Sequence, residues 1–207
     1  EEKSVHHRAT LLVNEHNGSK YNGSFDMIVH LVDGTYELYR QHYGQAVRSS
    51  TPAPNAATIG VLNSTMQLLT EGATYIGVAS DHVIESFRND LWAGYKTSEG
   101  MEPEILGQIP IMEEALRSMG ITVWPMVEYE ADDALSSAAA IADADARVTQ
   151  VQILSPDKDL GQCVKGTRVV QIDRRKMGKG ENGLVDEAAV LEKFGVPPSG
   201  IADYLGL

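Results

Sequence analysis

The chain is 207 residues long, 43% hydrophobic and 22% charged, which is enough for one well-buried domain or for one domain and the start of a second. No apolar run approaches the roughly 20 residues that span a bilayer. The single cysteine, Cys163, excludes an internal disulfide framework and fits a reducing compartment, so a soluble, cytoplasmic protein is expected. The formal charge of −12 argues at face value against nucleic acid, since phosphate binding is normally driven by a basic surface. Two features weaken that exclusion: many of the acids are clustered, where bound divalent ions would offset them, and bases gather locally at Arg174, Arg175, Lys176 and Lys179.

Residues 1–25 are polar, rich in Asn, Gly and His, and lack hydrophobic period, which predicts a flexible leader. His6, His7 and His16 have no metal-site spacing, the basic-then-apolar pattern of a signal peptide is absent, and the missing initiator Met fits a fragment boundary. Order begins at Asp26. Met27 to Val32 is a short continuous apolar run, the pattern of a strand buried on both faces of a parallel sheet. It ends at Asp33-Gly34-Thr35, which aims an acid out of the strand's carboxyl end. A helix is predicted from Tyr36 to Tyr43. A second follows from Ala56 to Glu71, with Ile59, Leu62, Met66 and Leu69 as its buried stripe. Gly72 stops it, and Tyr75 to Ala79 is a second strand that ends in Ser80-Asp81.

Two strands with two terminal aspartates are the first functional signal, because ligands of open α/β sheets gather at the carboxyl ends of the strands. From His82 to Met101 aromatics, cations and glycines alternate too irregularly for a core helix. Either an amphipathic surface helix or a positively tipped element above a site is expected there. A helix is predicted from Glu104 to Met119, buried at Ile105, Ile109, Met112, Leu116 and Met119. The third strand starts at Thr122 and runs into Glu128-Tyr129-Glu130-Ala131-Asp132-Asp133, at the head of a helix predicted from Ala131 to Ala142. Acids in a first helical turn stabilise the macrodipole by roughly 0.3–1 kcal/mol each, which accounts for one or two of them but poorly for four. Clustered carboxylates repel unless solvent, amides or cations compensate them, and hard oxygen donors suit Mg²⁺ or Mn²⁺. Val151 to Leu154 is the fourth strand, again followed by acids, Asp157 and Asp159. Arg168 to Asp173 is the fifth, then a basic turn, a helix over 187–194 closed by Gly195, and another helix from Ile201.

Alternating strands and helices predict a three-layer parallel α/β domain. In chain order, Leu31-Val32-Asp33-Gly34, Ser80-Asp81, Ser86-Phe87-Arg88, Tyr95-Lys96, Tyr129-Glu130-Ala131-Asp132-Asp133 and Pro156-Asp157-Lys158-Asp159-Leu160 resemble the motifs of the 5′-nuclease family. That family includes flap endonucleases and the 5′→3′ exonuclease domain of bacterial DNA polymerase I. The resemblance implies a PIN-like nuclease fold with a helical arch, occupying residues 26–185, and the start of a helix–three-turn–helix DNA-binding segment over 186–207. It implies hydrolysis of DNA at 5′ ends, flaps or branches, by water assisted by two Mg²⁺ or Mn²⁺ ions, in a monomer that stands alone or is fused to a polymerase. Asp33, Asp81, Glu130 and Asp132 match the first metal site and Asp157 and Asp159 the second, with Asp133 between or behind them. Lys96 and Arg88 match the arch, and Arg40 matches a residue near the scissile phosphate; for the two arginines a surface ion pair is the competing reading.

Two departures are expected to matter. The arch often carries an arginine three residues after this lysine, where Glu99 stands here, so phosphate attraction should weaken. The chain also ends before the acids that complete the second site, so it is expected to hold one ion well, the second weakly, and DNA poorly. Among alternatives, a haloacid-dehalogenase phosphatase fails because Leu31 stands where its nucleophile would be. A receiver domain leaves the arch unexplained. A PIN-type ribonuclease and a silent DNA-binding paralogue remain as rivals.

Overall fold

The computed structural model describes residues 27–46 and 53–206; the leader, with its three histidines, lies outside the described residues. Six strands form one sheet in the order β3-β2-β1-β4-β5-β6. They are β1 (Met27–Asp33), β2 (Tyr75–Asp81), β3 (Thr122–Met126), β4 (Val148–Leu154), β5 (Val169–Ile172) and β6 (Leu184–Val185). The first five run parallel, and β6 pairs antiparallel with β5 at the edge. The chain builds leftward from β1 through β2 to β3, then returns to place β4 on the other side of β1. That reversal is a topological switch point, and it opens a crevice at the carboxyl ends of β1 and β4.

Both sheet faces are covered. On one face α1 (Gly34–Ala46), α2 (Ala56–Thr70) and α5 (Gln108–Ser118) enclose Val32, Leu38, Val61, Val78, Met112 and Leu116. On the other, α6 (Ala131–Ala144) packs Leu135 and Ala139 on Val29, Leu31, Val151 and Ile153. Residues 29 and 31 therefore face one layer and 32 the other, as the two-residue period of a strand demands. A third, small cluster of Val164, Val190 and Ile201 seats α8 (Glu187–Phe194) and α9 (Ile201–Leu205) beside the loop after β4. Gly77 lets the sheet close: a Cβ there would run into the Trp124 ring.

The described structure departs from the sequence expectations at several points, among them the unforeseen edge strand β6. The buried face of α2 is Ala57, Thr58, Val61, Thr65 and Leu68, while Ile59 and Met66 are 50% exposed. Small and β-branched side chains let α2 approach α1 and α5 closely, so the larger apolar residues turn outward. The helix expected over 104–119 is broken at Gly107 into α4 (Pro103–Leu106) and α5, although Ile105, Ile109, Met112 and Leu116 are buried as anticipated. Between His82 and Met101 the regular structure is one turn, α3 (Arg88–Leu91). The basic stretch after β5 is itself a short helix, α7 (Arg174–Met177), held by the Asp173 carboxylate accepting from the Arg175 N–H.

Candidate active site

Each carboxylate at the crevice is aimed by its own local structure. Asp33 ends β1 and is only 7% exposed; it accepts from the Tyr36 N–H at 2.9 Å and from the Ser155 hydroxyl at 3.0 Å. Asp81 ends β2 and is 5% exposed. Its N–H donates to Thr35 Oγ1 at 2.7 Å, and its Oδ1 accepts from the Ala131 N–H at 2.8 Å. This last bond ties the end of β2 to the first turn of α6, where the helix presents unpaired amides. Glu130 caps α6 and accepts from the Ser86 hydroxyl at 2.7 Å. Asp132 lies in the first turn of α6, and Asp157 follows β4.

These five acids line one cleft of about 190 Å³, together with Thr35, Tyr36, Tyr39 and Lys96. Lys96 Nζ sits among them, 2.9 Å from Asp81 Oδ2 and 3.6 Å from Glu130 Oε2. Burial disfavours the ammonium, but Asp81 and Glu130 outweigh it and raise the Lys96 pKa. Burial pushes Asp33 up to about 6, and the Asp81 and Asp157 charges add to it. Asp132 goes up to about 8, again first by burial, then by Asp33, Asp157 and Asp81. The crowd of acids thus holds more negative charge than one ammonium compensates.

Among the described residues, no three of these donors converge tightly enough to clasp an ion as the side chains stand. The donor chemistry nevertheless suits a hard divalent cation, being all oxygen with a cationic nitrogen already beside Asp81 and Glu130.

Asp133, Asp159, Arg88 and Arg40 are not among the cleft's lining residues. Asp133 faces away: Arg88 grips both its oxygens at 2.8 Å, and its Oδ2 also accepts from the Glu130 N–H at 2.9 Å. Those bonds, the Arg88 contact foremost, hold its carboxyl below the usual range. Arg88 also reaches Glu130 at 3.0 Å, so it braces the first turn of α6. Asp159 is exposed, with its N–H on Asp157 Oδ1 at 2.9 Å. Arg40 pairs with the buried Glu37 and lines a different, larger cavity of about 900 Å³ that also holds His30 and Arg174. That cavity has more room, but the strand-end acids all belong to the smaller cleft. Sequence reasoning passed over Ser86, Ser155 and Thr35. Each lies within five residues of an expected acid, and a hydroxyl beside a buried carboxylate is the signal that would have found it.

Residues 28–195 match the family model for the 5′-3′ exonuclease N-terminal resolvase-like domain. The chain belongs to that family. DNA polymerase I of Mycobacterium leprae is 31% identical over 182 residues, which is 86% of this chain and 20% of the polymerase. The 5′-3′ exonuclease of Aquifex aeolicus is 30% identical over 182 residues, 86% of this chain and 60% of that protein. This chain therefore spans one fifth to three fifths of the length of these relatives. Among solved structures, the bacteriophage T5 5′-exonuclease with bound zinc superposes with a TM-score of 0.57 at 16% identity, covering 87% of this chain and 65% of that one. The T5 flap endonuclease in a pseudo-enzyme–product complex with DNA and metal ions gives 0.53 at 16% identity, covering 87% and 64%. At such identities the likeness is one of fold, and it agrees with the resolvase-like sheet described above. No described helix is long and apolar enough to cross a membrane.

Proposed function

We propose that this 5′-nuclease-family chain forms the catalytic part of a divalent-metal-dependent nuclease that hydrolyses DNA phosphodiester bonds at 5′ ends and flaps. The observation that carries the reading is the convergence of Asp33, Asp81, Glu130, Asp132 and Asp157, from four separate segments, on one cleft with a lysine in it. The names of the relatives, an Aquifex 5′-3′ exonuclease and a T5 flap endonuclease with DNA and metal ions, support the same substrate and cofactor class.

In this reading Asp33, Asp81, Glu130 and Asp132 hold the first Mg²⁺ or Mn²⁺, and Asp157 with Asp159 contributes to the second. Ions bound there supply water activation and neutralise charge on the attacking and leaving oxygens. The Tyr36 N–H and the Ser155 hydroxyl keep Asp33 aimed into the cleft. Lys96, in the same cleft, would offset charge developing on the scissile phosphate. Arg88 holds α6's first turn through Asp133, and Arg40 supports α1 through Glu37. Residues 26–185 serve as the catalytic unit, and 186–207 belong to a helical segment that contacts duplex.

The test is incubation of the full chain with a 5′-flap or 5′-recessed duplex and Mg²⁺. Cleavage is expected, and Asp81→Ala or Asp132→Ala should abolish it; activity surviving either change would overturn the site. Equal cutting of single-stranded RNA would instead identify a ribonuclease, and tight DNA binding without cleavage a silent paralogue.

A further inference from the structure

Glu113 is a buried acid with no part in the site above, and both its oxygens are taken. It lies on α5, 2% exposed. Its Oε1 accepts from the Ser80 hydroxyl at 2.7 Å, and its Oε2 is 2.8 Å from His82 Nδ1. Ser80 and His82 are the residues on either side of Asp81. The backbone turns tightly between them, with the His82 N–H donating to the Ser80 carbonyl at 3.0 Å. Side chains alternate along a strand, so residues 80 and 82 reach toward α5 while Asp81 reaches the opposite way, to Ala131 and Lys96. A carboxylate facing an imidazole nitrogen and a hydroxyl accepts from both, which puts the imidazole proton on Nδ1.

From this geometry we infer that Glu113 is a positioning residue for Asp81: it clamps the turn from behind and so sets where the Asp81 carboxylate points. The inference rests on Asp81 being a metal ligand, as proposed above. A glutamate sealed in a hydrophobic layer is costly unless its hydrogen bonds are complete. Here both are spent on the two neighbours of one cleft acid. Partners behind a metal ligand commonly change affinity 10–100-fold when removed. Acting through the backbone of its neighbours, Glu113 is expected at the low end of that range.

The experiment is Mn²⁺ titration of the wild type, Glu113→Leu, Glu113→Gln and Leu116→Ala, by calorimetry or electron paramagnetic resonance, alongside thermal unfolding. Leu116 is fully buried on the same helix and serves as the control for stability alone. Glu113→Leu should weaken Mn²⁺ binding about tenfold. Leu116→Ala should lower the melting temperature and leave affinity unchanged. Glu113→Gln should recover affinity to within about twofold, because an amide still accepts from Ser80 and can donate to the other imidazole tautomer. Unchanged Mn²⁺ affinity in Glu113→Leu overturns the inference, as does an equal loss in Leu116→Ala. If the wild type itself binds no Mn²⁺, the metal reading of the cleft fails, and the wild-type titration identifies that case by itself.

Discussion

Lys96 Nζ and Asp81 Oδ2 are 2.9 Å apart, so the element that links β2 to α4 is fastened to the end of β2 by a charge that lines the acid cleft. The same ammonium lies 3.6 Å from Glu130 Oε2. In the proposed function, an ion at Asp81 would compete with the lysine for Oδ2.

Replacing Lys96 by Ala therefore has opposite effects on two measurements. Mn²⁺ affinity should hold or rise, because a competing charge is gone. Cleavage of a 5′-flap substrate should fall about a hundredfold, the usual loss when one cationic or hydrogen-bonding group is taken from a transition state. Titration calorimetry and single-turnover cleavage read the two separately. A drop in Mn²⁺ affinity would mean that the lysine supports the ion site rather than competing with it.

Glu99 is exposed three residues beyond Lys96, where the family resemblance leads one to expect an arginine. Glu99→Arg should tighten DNA binding measured by anisotropy with Ca²⁺ in place of Mg²⁺. The slope of log K against log salt should steepen by about 0.7–0.9 for each phosphate newly engaged. An unchanged slope would place residue 99 away from the DNA.

Glu37 provides a pH prediction for a group that does not line the acid cleft. It is buried beneath Arg40 at 2.5 Å, with Arg174 at 3.6 Å and the Ser64 hydroxyl at 2.7 Å. Burial alone would raise its pKa, but the Arg40 pair outweighs burial and the net direction is down. A carboxylate with a lowered folded pKa stabilises the fold above its unfolded pKa, and that contribution is lost as pH falls through the folded value. Glu37→Gln should thus flatten the acid side of the stability–pH curve obtained from urea midpoints. At neutral pH it should cost about 1–3 kcal/mol, less than a fully sealed ion pair because both arginines are partly solvated. A curve parallel to the wild type would assign the acid sensitivity to other groups.

Much of this protein is legible in its sequence. Apolar runs such as Met27 to Val32 can only be satisfied between two covering layers, so the parallel sheet follows from them. Acids placed at the ends of β1 and β2, shortly after β4 and at the head of α6 are brought to the sheet's carboxyl edge by that topology. The α2 stripe was misread because a helical period shows that one face is apolar but not which face a neighbour will accept. Against α1 and α5 the small face of Ala57, Val61 and Thr65 fits, and Ile59 and Met66 do not. Asp132 and Asp133 look alike in sequence, yet successive helical residues point about 100° apart. One reaches the cleft and the other reaches Arg88.

The chain's own order of residues determined the layers, the strand-end acids and the family. Only the tertiary structure decided which of seven candidate acids share the cleft, that Lys96 already stands among them, and that Glu113 grips both neighbours of Asp81. The reason is physical. Hydrophobic period and turn chemistry act over a few residues and can be read along the chain. The aim of a charged side chain depends on partners 15 to 122 positions away, as in Lys96 with Asp81 or Ser155 with Asp33, and those meet only when the sheet has formed.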